Sequence, residues 1–273
     1  MTNRDQGQNV RHSNRLEGSV VAITGAGSGN GRASALRTGR EGASLYISEI
    51  DAERLEDTLA DLKSEGIDAA GGIFDAANID DAPRFIAAVK DAYGRIDVLV
   101  NNAGAVRVEP FPDVSEENWD WTMDLNLKGA FFLMQEAAKP MIEQRSGNIV
   151  NIASIAGTFG GPTSSPPYAA AKAGLVNLTT VAAASLAQYG IRVNAIAPGI
   201  INTPFHAPVD LAIGQKQLGL KPGEHIHTRV NIIPLGRLGE PEDVAATVAF
   251  LASEDASHIS GQTITVAGGM RSL

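Results

Sequence analysis

The chain has 273 residues, 44% hydrophobic and 19% charged, with no low-complexity tract. That composition excludes disorder, collagen and coiled coil and suits one large globular domain. Lys and Arg number 22 against 31 Asp and Glu, a net charge of −9 with no basic stripe, which argues against nucleic acid or an anionic membrane as partner.

Residues 1–15 are polar throughout, lack the apolar core of a signal peptide and read as a disordered tail. No stretch approaches the ~20 apolar residues of a membrane span, and the expectation is a soluble, cytoplasmic protein. SVVAITG at 19–25 reads as a strand; a Gly-rich turn and a helix through Arg40 follow. Next come a strand at 43–48, a charged helix from Asp51 to Glu65, a strand at 68–74 and a helix at 80–94 with Pro83 in its first turn. IDVLVN (96–101) and GNIVNIA (147–153) are continuous apolar runs, the signature of strands buried on both faces. A long helix from about Ser115 to Arg145 lies between them, with Pro140 near its far end.

A second long helix runs from about Pro166 to Tyr189, and IRVNAIA (191–197) is the sixth strand. The last helix follows Pro241, and QTITVA (262–267) closes the series. Seven strands alternating with helices predict an α/β fold: a single doubly wound, Rossmann-type domain with a seven-stranded parallel sheet and helices on both faces, spanning 16–273. Residues 203–233 form the one long irregular insertion, and loops of that length are usually lids or binding loops.

Cysteine is absent, so disulfides, thiol nucleophiles and thiolate metal sites are all excluded. His12, His206, His225, His227 and His258 are scattered; His225 and His227 alternate but lack a third ligand, so no metal site is expected.

The first strand runs into Gly25, Gly29 and Gly31 at a Gly-x-x-x-Gly-x-Gly spacing. Glycines there allow a tight strand-to-helix turn and let backbone N–H groups at a helix N-terminus approach a pyrophosphate. Glu49 ends the second strand, where a carboxylate accepts from the adenosine ribose diol and repels a 2′-phosphate. Ile50 follows, and Ser28 stands where a basic residue could have met that phosphate. The expected cofactor is therefore NAD rather than NADP. Tyr168 and Lys172 are four apart at the start of a helix, on one face. An ammonium beside a phenol, together with a cationic nicotinamide, would lower the tyrosine pKa toward that of a useful base.

Gly25-x-x-x-Gly29-x-Gly31, Asn101-Asn102-Ala103-Gly104, Ser154, Tyr168-x-x-x-Lys172 and Pro198-Gly199 occur in one order and spacing. In this the chain resembles the short-chain dehydrogenase/reductase family from about residue 16 to its end. The resemblance implies Tyr168 as general acid/base, Ser154 as the partner that orients the substrate oxygen, and Lys172 on the nicotinamide ribose. It implies Asn126 as the helix residue that anchors a water relaying protons to the lysine; Gly129 nearby supports a local irregularity in that helix. Asp75, with Ala76 beside it, would bond the adenine, and Asn102, Ala103 and Gly104 would line the adenosine ribose. Pro198, Gly199, Ile201 and Thr203 would fix the carboxamide.

The chain departs from the family pattern twice. Asn30 replaces the usual aliphatic residue of the turn, and Ala267-Gly268-Gly269 stands in place of Asp-Gly-Gly. The function implied is an NAD-dependent oxidoreductase interconverting a secondary alcohol and its ketone. The alternatives are an NADP-dependent carbonyl or acyl-thioester reductase and a non-catalytic dinucleotide-binding regulator. The basic residues of 203–233 raise the possibility of an anionic substrate, and the alanine-rich 166–189 helix that of a homotetramer.

Overall fold

Alternation along the first strand, β1 (Val20–Thr24), divides the protein into two layers. Successive side chains of a strand point to opposite faces. Val21 and Ile23 join a core with Ala35, Leu55, Leu62, Val244, Val248 and Leu251, while Val20 and Ala22 join another with Phe85, Leu133, Met141 and Leu175. The structure, a computed structural model, describes residues 14–159 and 165–270.

Six further strands complete the sheet: β2 (Ser44–Glu49), β3 (Ala69–Ile73), β4 (Val98–Asn101), β5 (Gly147–Ile152), β6 (Ile191–Pro198) and β7 (Thr263–Val266). All pair in parallel in the order β3-β2-β1-β4-β5-β6-β7, as the sequence predicts for a doubly wound sheet. The order reverses between β1 and β4, and connections leaving in opposite directions open a crevice at their carboxyl ends.

Helices α1 (Gly29–Arg40) and α2 (Ala52–Ser64) cover one face, and α3 (Asp81–Tyr93) covers the other. The long helix expected over 115–145 is three pieces: α4 (Glu116–Met123), a π-helical turn at Asp124–Lys128, and α5 (Gly129–Gln144). The short α6 (Ala156–Phe159) precedes the long α7 (Pro166–Leu186). Two short helices, α8 (Ala207–Val209) and α9 (Glu224–Thr228), interrupt the insertion, and α10 (Pro241–Ala252) returns to the first face. Local chemistry sets the helix starts. The Asp51 side chain accepts from the Arg54 N–H at 3.1 Å, Ser115 accepts from Asn118, and Glu240 and Asp243 form a capping box.

Two expectations need amendment. Arg15, placed in the tail by its polarity, pairs with buried Glu41 at 2.8 Å and with Asp255; residues 1–13 lie outside the described residues. One helical stretch, 166–189, is long and apolar enough by composition to cross a membrane, although the sequence reading found no such run. It packs along β6 and α5 and carries the buried charge of Lys172, while another part of it, including Val181, is exposed.

Candidate active site

The Gly-rich turn is held by contacts that leave no room for a β-carbon. A Cβ on Gly25 would stand 2.9 Å from the Ala103 Cα, and one on Gly31 would meet the Gly25 carbonyl. Gly25 and Gly29 also have φ of +62° and +50°, where side chains are strained. Ser28 is the extended residue before α1, and that helix has no acidic residue in its first turn. Its N-terminal N–H groups therefore face the crevice without a competing carboxylate, a suitable seat for a pyrophosphate.

Asn102 braces this turn from β4: its Nδ2 donates to the carbonyls of Thr24 and Gly25, both at 2.9 Å. The Thr24 hydroxyl accepts from the N–H groups of Asn102 and Ala103. The Asn102 side chain thus points into the protein and is spent on holding the turn.

Glu49 is only 8% exposed, and its carboxylate accepts from the N–H of Gly27 at 3.0 Å and of Ile50 at 2.9 Å. The acid expected to read the ribose also fixes the turn, a role its sequence position did not reveal. Ile50 is exposed beside it. The side chain of Asp75 accepts from the Ala77 N–H through Oδ1. Ala76 meets α5 from below, since a Cβ on Gly129 would strike its carbonyl oxygen. Thr203 touches the turn, its Cγ2 lying 3.2 Å from where a Gly29 Cβ would stand, and Gly199 donates to the Val266 carbonyl at 2.9 Å. Ile201 is buried in the core beside α10, so its side chain supports this segment from within.

At the ends of β5 and α7 the four residues of the expected catalytic set come together. Ser154 accepts from the Ala156 N–H at 3.1 Å, and its hydroxyl is near enough to Tyr168 to favour the phenolate. The Lys172 Nζ donates to the Ile152 carbonyl at 2.9 Å and lies 5.7 Å from the Tyr168 ring centre. Asn126 is fully buried in the π-turn, where its Nδ2 donates to the carbonyls of Ala105 and Thr122. Its Oδ1 has no protein partner. A Cβ on Gly104 would stand 2.8 Å from that oxygen and 3.3 Å from Lys172 Nζ, so Gly104 keeps the space between them open.

Burial dominates the electrostatics. It pushes Tyr168 up to about 12, with the Ser154 bond opposing, and lowers Lys172 to about 8. The sequence argument expected the lysine to lower the tyrosine; burial instead raises it.

A family model described as enoyl-(acyl carrier protein) reductase matches residues 25–271. The chain belongs to the short-chain dehydrogenase/reductase family. It is 39% identical over 256 residues to the 3-oxoacyl-acyl-carrier-protein reductase FabG of Thermotoga maritima, covering 94% of this chain and 99% of that one. It is also 39% identical, over 258 residues, to BbsD of Thauera aromatica, a subunit of a hydroxy(phenyl)methylsuccinyl-CoA dehydrogenase, covering 94% of this chain and 98% of that protein. Among solved structures, a variant of actinorhodin polyketide ketoreductase with NADPH superposes with a TM-score of 0.87 at 34% identity, covering 92% of this chain and 96% of that one. This protein is an oxidoreductase of that family, and its fold is theirs.

In this short-chain dehydrogenase/reductase the 203–233 insertion folds back over Tyr168. Phe205 lies 5.5 Å from the Tyr168 ring, and Val106, Ala156 and Val209 complete an apolar wall. Asp210 ties the insertion together, accepting from Gly223 N–H, His225 N–H and Gln215 Nε2. These bonds hold its carboxyl below the usual range, the Gly223 bond most of all.

Arg54 was missed as well. It follows Asp51 by one helical turn, and its Cβ lies 2.8 Å from where a Gly27 Cβ would stand, at the Glu49 pocket. Phe111 is exposed, and Phe159 is half-exposed at the end of α6. Residues 160–164 lie outside the described residues.

Proposed function

We propose that this protein is an NAD-dependent enzyme interconverting a secondary alcohol and its ketone, with Tyr168 moving the proton. The observation that carries this reading is the meeting of half-buried Ser154 with buried Tyr168, with buried Lys172 and Asn126 behind them. A protein selected only to bind a nucleotide has no use for serine and tyrosine hydroxyls brought together beside a buried lysine, which disfavours the regulator alternative.

The residues present fit a dinucleotide. Gly25, Gly29 and Gly31 form a cradle that a Cβ would fill, and Asn30 Oδ1 is a buried acceptor without a partner in the turn. Gly25, Ser28, Gly29, Asn30 and Gly31 would hold the pyrophosphate side, and Glu49, Ile50, Asp75, Ala76, Asn102, Ala103 and Gly104 the adenosine. Tyr168, Lys172, Pro198, Gly199, Ile201 and Thr203 would hold the nicotinamide end. The dinucleotide supplies or takes up the hydride.

The protein's own part is proton management. Ser154 donates to the substrate oxygen and stabilises charge developing there. Neutral Tyr168, the form burial favours, donates its proton to that oxygen in ketone reduction. Alcohol oxidation needs the phenolate, which the Lys172 ammonium favours at 5.7 Å from the ring. The gap between Asn126 Oδ1 and Lys172 Nζ suits a water that returns protons to the lysine.

Preference for NAD rests on Glu49, whose charge opposes a 2′-phosphate. A second reading, an NADP-dependent carbonyl or acyl-thioester reductase, is favoured by Arg54 at the same pocket and by the NADPH held by the polyketide ketoreductase relative. Glu49→Gln removes the charge while keeping an acceptor for the turn. Improved NADP binding in that variant supports NAD as the natural cofactor, and unchanged binding sinks the charge argument. The reading includes a cytoplasmic homotetramer, supported by the face of α7 that this chain leaves uncovered around exposed Val181.

The deciding experiment screens secondary alcohols, polyols and hydroxy acids with NAD and NADP, with Tyr168→Phe as control. Turnover falls by roughly 100- to 10,000-fold in the control, while NADH affinity, read by nucleotide fluorescence, stays within about twofold. Turnover that survives in Tyr168→Phe refutes the proton donor.

A further inference from the structure

In the proposed reaction the Tyr168 hydroxyl touches the substrate, yet Tyr168 is only 8% exposed. The side chains packed about it are therefore those that a substrate displaces or lies among. Ser154 and Lys172 stand on its polar side. On its apolar side are Val106, Ala156, Ala169, Phe205 and Val209, of which Phe205 and Val209 come from the insertion. A charge brought in among these five would lose its water without gaining a partner, which is costly.

Phe205 holds the position that matters most. Its segment is anchored at the root, where the Asn202 N–H donates to the Gly239 carbonyl at 2.8 Å. Thr203 then reaches the Gly-rich turn, its Cγ2 lying 3.2 Å from where a Gly29 Cβ would stand. Two residues later the Phe205 ring lies on Tyr168, with centres 5.5 Å apart and planes inclined by 51°. Residues 203–205 thus bridge the turn proposed for the dinucleotide and the wall that holds Tyr168, and a molecule reacting between the two lies against this bridge. The face it meets is a ring already at the separation that aromatic pairs favour, about 4.5–7 Å. The next polar group, His206, stands edge-on to Phe205 at 5.6 Å. Burial above all holds its pKa below the ordinary value, so it is neutral at pH 7 and supplies no counter-charge.

We infer that Phe205 selects substrates whose reacting carbon carries an aryl group, the substrate's ring packing on Phe205 with Val106 and Val209 beside it. An aryl group suits this seat better than an extended chain, because it fills apolar area with few rotatable bonds to immobilise. A carboxylate in the same place is rejected because the wall offers it no donor. Naming the substrate class rests on the alcohol–ketone reading above; the ring seat beside Tyr168 does not.

Binding and turnover test the two parts separately. Benzamide and acetamide both present a carbonyl oxygen, and neither is a ketone to be reduced. Each is titrated into the protein in the presence of NADH and followed by ligand NMR, which reads weak affinities. Benzamide binds the parent about tenfold more tightly than acetamide. Phe205→Ala loses most of that preference and Phe205→Leu keeps part of it. Phe111→Ala, which removes an exposed ring outside the Tyr168 cluster, keeps all of it. Thermal melting checks the fold of each variant, and Phe205→Leu carries the test where Phe205→Ala fails to fold. In turnover, acetophenone is reduced about tenfold better in kcat/KM than acetone or pyruvate. In Phe205→Ala that ratio falls toward one through a higher KM for acetophenone.

No benzamide preference in the parent, unweakened benzamide binding in both Phe205 variants, an equal loss in Phe111→Ala, or a parent that uses pyruvate as well as acetophenone overturns the inference. A benzamide preference that depends on Phe205, without any Tyr168-dependent turnover, upholds the ring seat and places the failure in the alcohol–ketone reading.

Discussion

Around the Gly-rich turn nearly every position is fixed by a backbone hydrogen bond or by a contact too close for a β-carbon. The insertion over Tyr168 is instead a chain of short helices drawn together through one carboxylate, Asp210. In the proposed reading the first region grips parts of a ligand common to any dinucleotide, using main-chain groups that a change of side chain does not remove. The second reads whatever varies, with exposed side chains on elements too short to be stable alone. Rigidity and adaptability are thus divided between the two walls of one crevice.

The contrast breaks most severely at Gly31. In Gly31→Ala the new methyl meets the Gly25 carbonyl and the Asn102 amide, costing about 1–3 kcal/mol of stability and abolishing NADH binding; denaturant melts and nucleotide fluorescence measure both. A variant that still binds NADH would show that the turn yields more than its contacts imply.

Between the two walls stands Tyr168, and its titration sharpens the comparison. In the nucleotide-free protein its phenolate absorbance appears only near pH 12, in a step missing from Tyr168→Phe, because burial disfavours the charged form. Since the folded protein holds this proton above the ordinary tyrosine value of 10.0, the contribution to stability is full below about pH 10 and is lost as pH rises through about 12. A step near the ordinary value would mean that Lys172 outweighs desolvation.

The smallest effect is expected in the insertion. Asp210→Asn weakens the bonds to Gly223, His225 and Gln215, at about 1–2 kcal/mol of local stability. Amide exchange at Gly223 and His225 accelerates and KM rises severalfold, while the global melting temperature and NADH affinity hold. A fall in global stability would show that the insertion is part of the main cooperative unit.

How much could be read in advance follows the same division. The parallel sheet was legible because both-face burial writes continuous apolar runs such as Ile96–Asn101, and the cradle because only glycine tolerates its geometry. The grouping of the proposed catalytic residues was legible through the i, i+4 spacing of Tyr168 and Lys172 and the resemblance that placed Ser154 and Asn126. Arg54 escaped because chain neighbours of Glu49 were considered and a helical turn was not. The second task of Glu49 and the hub role of Asp210 escaped because a carboxylate accepting backbone N–H groups leaves no pattern in side-chain spacing. The raised pKa of Tyr168 required knowing its burial, which pairwise charge arguments omit.

The π-turn at Asp124–Lys128 has a consequence for the helices on either side of it. One extra residue in a helical path rotates everything downstream by about 100° relative to an uninterrupted helix. On the near side α4 contacts α7, and on the far side α5 turns toward α3 and the sheet. The turn therefore works as a phase adjuster, letting one continuous rod show its apolar stripe first to one neighbour and then to another. Deleting a single residue there would restore a regular hydrogen-bond ladder, yet put one half of the rod out of step with its surroundings.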